Sequence, residues 1–171
     1  MQPLRARRAA TASLFVVQLS HEYLPAGGVQ MIGENAEQPQ AAAMWKPPDT
    51  TESQTRRREQ VAMAAAVVAA LRTRVPAALT VCGALDRTHP AAPHWYLNKL
   101  GTVAAVRGQG LASALLSAQL RHCDKTGTPA YLEATQHKLI GFYETFGFTC
   151  TNSIDVPHGG PGVWGMWRAP R

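Results

Sequence analysis

A glycine-rich turn contains the residues of this sequence that most readily do chemistry. Residues 107–112 read Arg-Gly-Gln-Gly-Leu-Ala, between a strand-like segment at 95–103 and a helical run at 111–122. Glycines at such a junction let several backbone N–H groups converge on one point, where the helix dipole adds partial positive charge. The turn could hold a pyrophosphate without a dedicated side chain, although ordinary turns also need glycine for their geometry.

The composition indicates one globular domain with an anionic partner. The chain has 171 residues, of which 46% are hydrophobic and 16% are charged, so it can bury a core. Its net charge of +6 suits a phosphorylated ligand or a nucleic acid. Much of that charge lies in two arginine runs, at 5–8 and 56–58, that no aromatic residue interrupts. We therefore favour solvated runs over a nucleic-acid surface, and predict no nucleic-acid partner.

The cysteines, histidines and apolar runs indicate which other kinds of site or location the chain could have. Cys82, Cys123 and Cys150 form no Cys-x-x-Cys pair, and the six histidines show no metal-ligand spacing, so we predict neither disulfides nor a metal site. No apolar run reaches the roughly 20 residues that cross a bilayer, which predicts no membrane partner. We expect a cytoplasmic protein. Residues 1–20 share the composition of mitochondrial presequences, which leaves an organelle address open.

The first half of the chain predicts a hairpin and a helix. Residues 1–12 look unstructured, and 14–24 could form either a helix or a strand. Segments 29–33 and 41–45 predict two paired strands around a polar loop. Asp49 and Glu52 fit a capping box for a helix that has one apolar face, ends at Pro76 and is followed by one or two further turns over 77–85.

The second half alternates strands and helices. A strand over 94–103, with a bulge or close approach at Gly101, precedes the glycine turn. The next helix points Leu111, Leu115, Leu116 and Leu120 inward and ends at Gly127. A strand over 130–135, a helix over about 137–146 and two closing strands, 148–156 and 163–167, complete the chain. This order predicts a sheet with parallel central strands and helices on its faces.

Five sequence blocks over residues 90–168 occur in a known order and spacing. They are His94-Trp-Tyr-Leu97, Leu100-Gly101, Arg107-x-x-Gly110-x-Ala112, Tyr131-Leu-Glu133 and Phe142-Tyr-Glu144-x-x-Gly147-Phe148. In these blocks the chain resembles the Gcn5-related N-acetyltransferase (GNAT) superfamily, and within it the puromycin N-acetyltransferase-like branch. The resemblance implies an α/β (α+β) fold, with a mixed, largely antiparallel sheet whose central parallel strands splay apart, flanked by helices. Residues 29–171 would form a single acetyltransferase domain, preceded by a short, partly disordered segment at 1–28.

The resemblance also implies acetyl-coenzyme A (acetyl-CoA) as acetyl donor and a primary amine of a small molecule as acceptor, which attacks directly. The pantetheine arm would lie in the gap between the splayed strands and the pyrophosphate in the glycine turn. Tyr143 corresponds to the family tyrosine that contacts the cofactor and protonates the departing thiolate. The cofactor-binding residues would be Leu100, Gly101, Thr102, Val103, Arg107, Gly108, Gln109, Gly110, Leu111, Ala112 and Tyr143.

The attacking amine must be neutral, so a base is expected. Glu133, on the strand that faces the gap, is our first candidate, although a salt bridge or a solvated strand end would also explain it. His94 and Tyr96 are weaker candidates. Trp45, Trp95 and Trp164 could line an acceptor pocket, but packing in the core or at its edge is the favoured interpretation for each.

Two departures from the family pattern matter. Leu139 stands where many relatives carry an asparagine that contacts the cofactor. The part before residue 29 is also short, so the acceptor site could be open, or completed by another subunit in a homodimer.

Three other hypotheses stay in view. A non-catalytic or truncated relic could bind coenzyme A or a protein partner without turnover. A dinucleotide-binding Rossmann domain would leave the Phe-Tyr-Glu block unexplained. A basic nucleic-acid-binding module would lack any recognisable motif.

Overall fold

Six strands form one sheet in the computed structural model, which describes residue 12 and residues 15–35, 37–48, 75–156 and 162–171. Neighbouring strands are antiparallel except β3 and β4, which run parallel, and the order is β1-β2-β3-β4-β6-β5. The predicted fold class is therefore confirmed. The strands are β1 Val29–Gly33, β2 Pro39–Lys46, β3 Trp95–Thr102, β4 Ala130–Ala134, β5 Thr149–Ile154 and β6 Val163–Arg168.

Besides the helical segment before β1, three α-helices accompany the sheet in the described residues: α1 Val75–Thr88, α2 Leu111–Thr126 and α3 Ile140–Glu144. Short 3₁₀ turns, Ala104–Val106 and His137–Leu139, precede α2 and α3. The 14–24 segment, undecided from its sequence, is helical where the structure describes it, from residue 15, and ends in a π-helical turn, Leu19–Tyr23.

The predicted hairpin of the first two strands is confirmed, with Val29 opposite Met44 and Ile32 opposite Ala41. In β2, Ala41, Ala43 and Trp45 are buried and alternate with more exposed residues, the pattern of a strand with one face on the core. Just before β1, a β-carbon at Gly28 would collide with the carbonyl of Trp45, so this close approach requires glycine.

The bulge predicted at Gly101 lies elsewhere. Gly101 pairs regularly with Ala42, whereas Met44 and Trp45 of β2 face Lys99 and Leu97, so the extra residue is Asn98 of β3. A bulge depends on the register between two strands that are distant in the chain, and a glycine in one strand does not predict that register.

The helix predicted to end at Pro76 lies outside the described residues, and α1 as described begins at Val75 and includes Pro76. The alanines and leucine that follow Pro76 are strong helix formers, and the further turns predicted over 77–85 belong to α1. The predicted capping box at Asp49 and the apolar face over 61–75 lie outside the described residues, as do both arginine runs and residues 1–11.

The main core lies between α2 and one face of the sheet. Leu115, Leu116 and Leu120 of α2 are buried as predicted, while Leu111 is partly buried against the same core. On β4, Leu132 faces this core, so Tyr131 and Glu133 project from the opposite face of the sheet. A smaller cluster joins α1 to the strands that close the sheet: Ala84, Ile154, Val156 and Val163.

A buried arginine ties the C-terminal strand to two helices. Arg168 of β6 is 4% exposed, and its two terminal nitrogens donate to the two carboxylate oxygens of Asp124 at 2.7 and 2.9 Å. Its Nε donates to the carbonyl of Phe146 at 2.8 Å. Because Asp124 belongs to α2 and Phe146 follows α3, this network fixes the end of α3 relative to the sheet.

Candidate active site

The two central strands part after a short pairing. β3 and β4 are joined at three residue pairs, from Trp95 with Ala130 to Leu97 with Leu132. Beyond Leu97, the described pairing of β3 is with β2 alone, and beyond Leu132, β4 pairs with β6. The predicted splay is thus present, and the backbone groups of 98–102 that face away from β2 open on a gap.

A cleft of about 600 Å³ occupies this gap. It brings together three sets of residues predicted for the site: the stretch Leu100 to Val103 on β3 and beyond, Glu133 on β4, and Tyr143 on α3. Leu139, the departure from the family pattern, lines the same cleft. The remaining described wall consists of Phe15, residues of β2, Leu97 to Lys99, Leu132 and Thr135.

The glycine turn depends on two left-handed backbone positions. Gly108 has φ 79° and Gly110 has φ 80°, a region that residues with a β-carbon rarely adopt. A β-carbon at either position would meet nothing within 4 Å, so the backbone rotation, and not a lack of room, requires glycine.

The N-terminus of α2 presents unpaired amides at this turn. Gly110 is the N-cap, and no described side chain caps the helix. The amide of Ala114 is the first to bond within the helix, to the carbonyl of Gly110 at 2.9 Å. The amides of Leu111, Ala112 and Ser113 therefore point out of the helix end, which suits an anion. The turn does not line the cleft itself, but follows Val103, which does, by one 3₁₀ turn.

Tyr143 is a buried phenol at the cleft. Its side chain lies among Phe142, Phe148 and the core, and the residue is 8% exposed. Burial raises the pKa of this phenol above its ordinary value, because the charged phenolate is disfavoured away from water. Tyr143 therefore stays protonated near neutral pH and can donate a proton.

Glu133 is a nearly buried carboxylate with several polar neighbours. Its side chain is 7% exposed. The hydroxyl of Tyr96 donates to its Oε2 at 2.7 Å, and that of Tyr131 approaches its Oε1 at 3.4 Å. Burial, and then the charge of Glu133, raise the pKa of both tyrosines, which remain donors. The Nδ1 of His89 lies 3.7 Å from Oε1.

The weaker base candidates have other positions. Tyr96 supports Glu133, and neither Tyr96 nor His94 is among the described residues that line the main cleft. His94 is buried, with Nδ1 2.6 Å from the carbonyl oxygen of Ala92, and burial lowers its pKa. The sequence alone does not single out His89, because it lies before a proline-rich linker and outside every recognised block.

The three tryptophans considered for an acceptor pocket are not among the described residues that line the main cleft. Trp45 is fully buried in the core. Trp95 and Trp164 pack against the core's edge, each with a histidine ring beside it, His122 and His137 respectively. The packing interpretation therefore holds for all three.

The described part of the segment before β1 contacts the sheet beside the cleft, and its Phe15 lines the cleft. Glu22 is paired with Lys46 of β2, and the Nζ of Lys99, on β3, lies 5.4 Å from the ring centres of Phe15 and Tyr23. Burial lowers the pKa of Lys99. These contacts join the described part of the N-terminal segment to the sheet.

The described residues contain neither a cluster of metal-ligand type nor a membrane-spanning helix. No three histidine, cysteine or acidic side chains in this part of the chain are grouped as a metal would need. None of its helices combines the length and apolarity needed to cross a membrane.

Comparison with known proteins decides the family. A model described as "Acetyltransferase (GNAT) family" matches residues 33–148, a span that includes the splayed strands, the glycine turn and Tyr143. The chain belongs to this family. Acetyltransferases of the GNAT family use acetyl-CoA as acetyl donor. The puromycin N-acetyltransferase-like branch stays a prediction.

Solved structures agree with this GNAT assignment. A structure from Corynebacterium glutamicum, of "histone acetyltransferase HPA2 and related acetyltransferase", is 27% identical over 95% of this chain and 75% of its own, with a TM-score of 0.68. The polyamine N-acetyltransferase of Drosophila melanogaster has a TM-score of 0.58 and 16% identity, over 88% of this chain and 78% of its own. Naa20 of Chaetomium thermophilum has a TM-score of 0.53 and 15% identity, over 91% and 72%. The last two show a shared fold alone.

Proposed function

We propose that this protein transfers an acetyl group from acetyl-CoA to a primary amine of a small molecule, by direct attack of the amine. The observation that carries the proposal is the cleft between β3 and β4, which Glu133 and Tyr143 both line. A base and an acid are thereby available in one cleft, as amide formation from a thioester requires. The family supports the acetyl donor, whereas the acceptor is our inference.

The residues present fit acetyl-CoA. The gap-facing backbone of 98–102 offers hydrogen-bonding groups to a pantetheine arm, and the uncapped amides at the start of α2 suit a pyrophosphate. Acetyl-CoA supplies a thioester whose carbonyl carbon the amine attacks. The cofactor-binding residues would be those predicted from the sequence, Leu100 to Val103, Arg107 to Ala112, and Tyr143.

Each proton then has a residue of the chain to handle it. The acceptor attacks as a neutral amine, and Glu133 takes the proton that the nitrogen loses as the new C–N bond forms. Tyr143 gives its hydroxyl proton to the departing sulfur as the C–S bond breaks. Because its pKa is raised, Tyr143 keeps this proton near neutral pH and can donate it to the developing thiolate. Water later returns a proton to Tyr143.

Substitution of the two proposed catalytic residues tests this function. We expect Tyr143→Phe and Glu133→Gln each to lower kcat by about a hundredfold or more, with little change in the Kd of acetyl-CoA, because each removes proton transfer and leaves the backbone contacts in place. Thiol release with a panel of small amines gives kcat, and calorimetry gives Kd.

Tyr23→Phe is the matched control. The Tyr23 hydroxyl is buried and finds no hydrogen-bond partner among the described residues, so its loss should leave kcat unchanged. Full activity of Tyr143→Phe would remove its proposed role. Absence of thiol release by the wild type with every amine would contradict the function.

Leu139 favours a second function, binding without catalysis. This side chain lines the cleft where many relatives carry an asparagine that contacts the cofactor. A protein that binds acetyl-CoA in calorimetry but releases no thiol with any amine would be such a relic, and would bind coenzyme A or a protein partner.

Three finer predictions accompany the proposed function. The puromycin N-acetyltransferase-like branch would place the acceptor among nucleoside-like amines, which the amine panel should include. A homodimer would appear in light scattering as twice the mass of 18.4 kDa. Cytoplasmic location would appear in fractionated cells.

A further inference from the structure

A chain of polar side chains leads away from Glu133 on the side of Tyr96. His89 lies next, with Nδ1 3.7 Å from the Glu133 Oε1, and its Nε2 is 3.2 Å from the Nε2 of His94. The ring of His89 contacts those of His94, Tyr96 and Tyr131, with centroids within 5.0 Å. His89, His94, Tyr96 and Tyr131 are not among the described residues that line the main cleft.

Hydrogen-bond chemistry fixes the protons of this chain, beginning at His94. The Nδ1 of His94 lies 2.6 Å from the carbonyl oxygen of Ala92, which can only accept, so Nδ1 carries a hydrogen. Burial lowers the pKa of His94 and favours the neutral ring. A neutral ring with a hydrogen on Nδ1 has a bare Nε2, which accepts.

His89 must therefore donate from its own Nε2 to His94. If His89 is neutral, its Nδ1 is bare and faces the carboxylate Oε1 of Glu133, which also has no hydrogen to offer. Two acceptors then face each other. One additional proton satisfies both, either on Glu133 or on His89, and the arrangement holds it between them.

The geometry points to His89 as the residue that carries the acceptor's proton away from Glu133, an inference that rests on the proposed function. In this step the O–H bond on Glu133 Oε1 breaks and an N–H bond forms at Nδ1 of His89. Glu133 returns to a carboxylate and His89 becomes an imidazolium. A small rotation of the His89 side chain, which is 34% exposed, brings the 3.7 Å separation to hydrogen-bond distance.

The proton has an exit to solvent. His89 and His94 line a second cavity of about 210 Å³ on the surface, here called the outer cavity, together with the 90–93 linker, Tyr96 and residues 46–48, at and just after the end of β2. The imidazolium of His89 loses its extra proton to water there and returns to the neutral form. Glu133, His94, Tyr96, Tyr131 and Lys46 are the titratable groups that line this route in the described residues.

Chemical rescue tests this role. We expect His89→Ala to lower kcat at least tenfold with an unchanged Kd for acetyl-CoA, and added imidazole to restore kcat by entering the vacated space. The restored rate should vary with the pKa of a series of substituted imidazoles, because they then perform the proton transfer. A residue that only supports the fold would give no such dependence.

His122→Ala is the control variant, since this exposed ring on α2 contacts Trp95 and not Glu133. It and the wild type should be insensitive to added imidazole. Wild-type kcat in His89→Ala, or a loss that no imidazole restores in a variant with wild-type Tm, would overturn the inference while the function itself stands through Glu133→Gln.

The proton positions can also be measured without turnover. In ¹⁵N-labelled histidine spectra near pH 7.5, we expect His94 to carry its hydrogen on Nδ1 and His89 to carry one on Nε2, assigned with His89→Gln. A His94 protonated on Nε2 would overturn the inference even if no amine were a substrate.

Discussion

At the scale of single residues, the glycine turn makes the clearest prediction. Gly110→Ala places a β-carbon at φ 80°, which should lower the free energy of unfolding by about 1–2 kcal/mol and weaken acetyl-CoA binding as the amides of the turn shift. Urea unfolding and calorimetry measure the two effects.

Gly83→Ala provides the comparison for Gly110→Ala. Gly83 lies inside α1, where an added β-carbon would make an ordinary 3.5 Å contact with Arg87. Alanine there should raise the free energy of unfolding by about 0.5–1 kcal/mol. Equal stability of Gly110→Ala and the wild type would show that this backbone position is not needed.

Residue identities were predictable where one stretch of sequence carries the signal. Glycines before a helix indicate the turn, and Glu133 and Tyr143 belong to blocks with a recognisable order. His89 was not predictable, because its relation to Glu133 arises from the packing of a loop against two strands. The histidine pair also depends on Ala92, which supplies only a backbone carbonyl.

At the scale of elements, the bond network of Arg168 carries a second prediction. Asp124→Asn leaves a buried guanidinium without its carboxylate, so the free energy of unfolding should fall by about 3 kcal/mol. Asp86→Asn, on the exposed side of α1, should change it by less than about 0.5 kcal/mol. Urea midpoints compare the two.

The same pair predicts an acid response. Hydrogen bonds from Arg168 hold the pKa of Asp124 below its ordinary value. The stability they contribute is therefore present above the pKa of an unfolded aspartate, about 3.9, and is lost as the pH falls through the lower folded value. The free energy of unfolding of the wild type should exceed that of Asp124→Asn by an amount that shrinks below about pH 4. A difference independent of pH would contradict the pairing.

Elements with strong local patterns were predictable, and those set by distant contacts were not. The leucines of α2 repeat at helical spacing, so its buried face could be derived from the sequence. The bulge at Asn98 of β3, opposite β2, and the early end of the β3–β4 pairing depend on how separate strands align. The splay itself came from the family resemblance, and no local pattern would have predicted it.

At the scale of the whole molecule, ligand binding should stabilise the fold. Acetyl-CoA at a hundred times its Kd should raise the free energy of unfolding by about 2.7 kcal/mol, which for a chain of this size raises Tm by about 5–10 °C. Acetylpantetheine, which lacks the pyrophosphate, should give a smaller shift at the same concentration. An unchanged Tm with acetyl-CoA would contradict binding, and equal shifts would contradict the role of the glycine turn.

The short pairing between β3 and β4 also has a mechanical consequence. Three residue pairs join these strands, against six between β2 and β3 and five between β4 and β6. Each half of the sheet is therefore stiffer within itself than the line that joins the halves. A ligand lying along that line would contact both halves and restrict their relative motion. The two halves should therefore move most in the free protein and least in the complex with substrate.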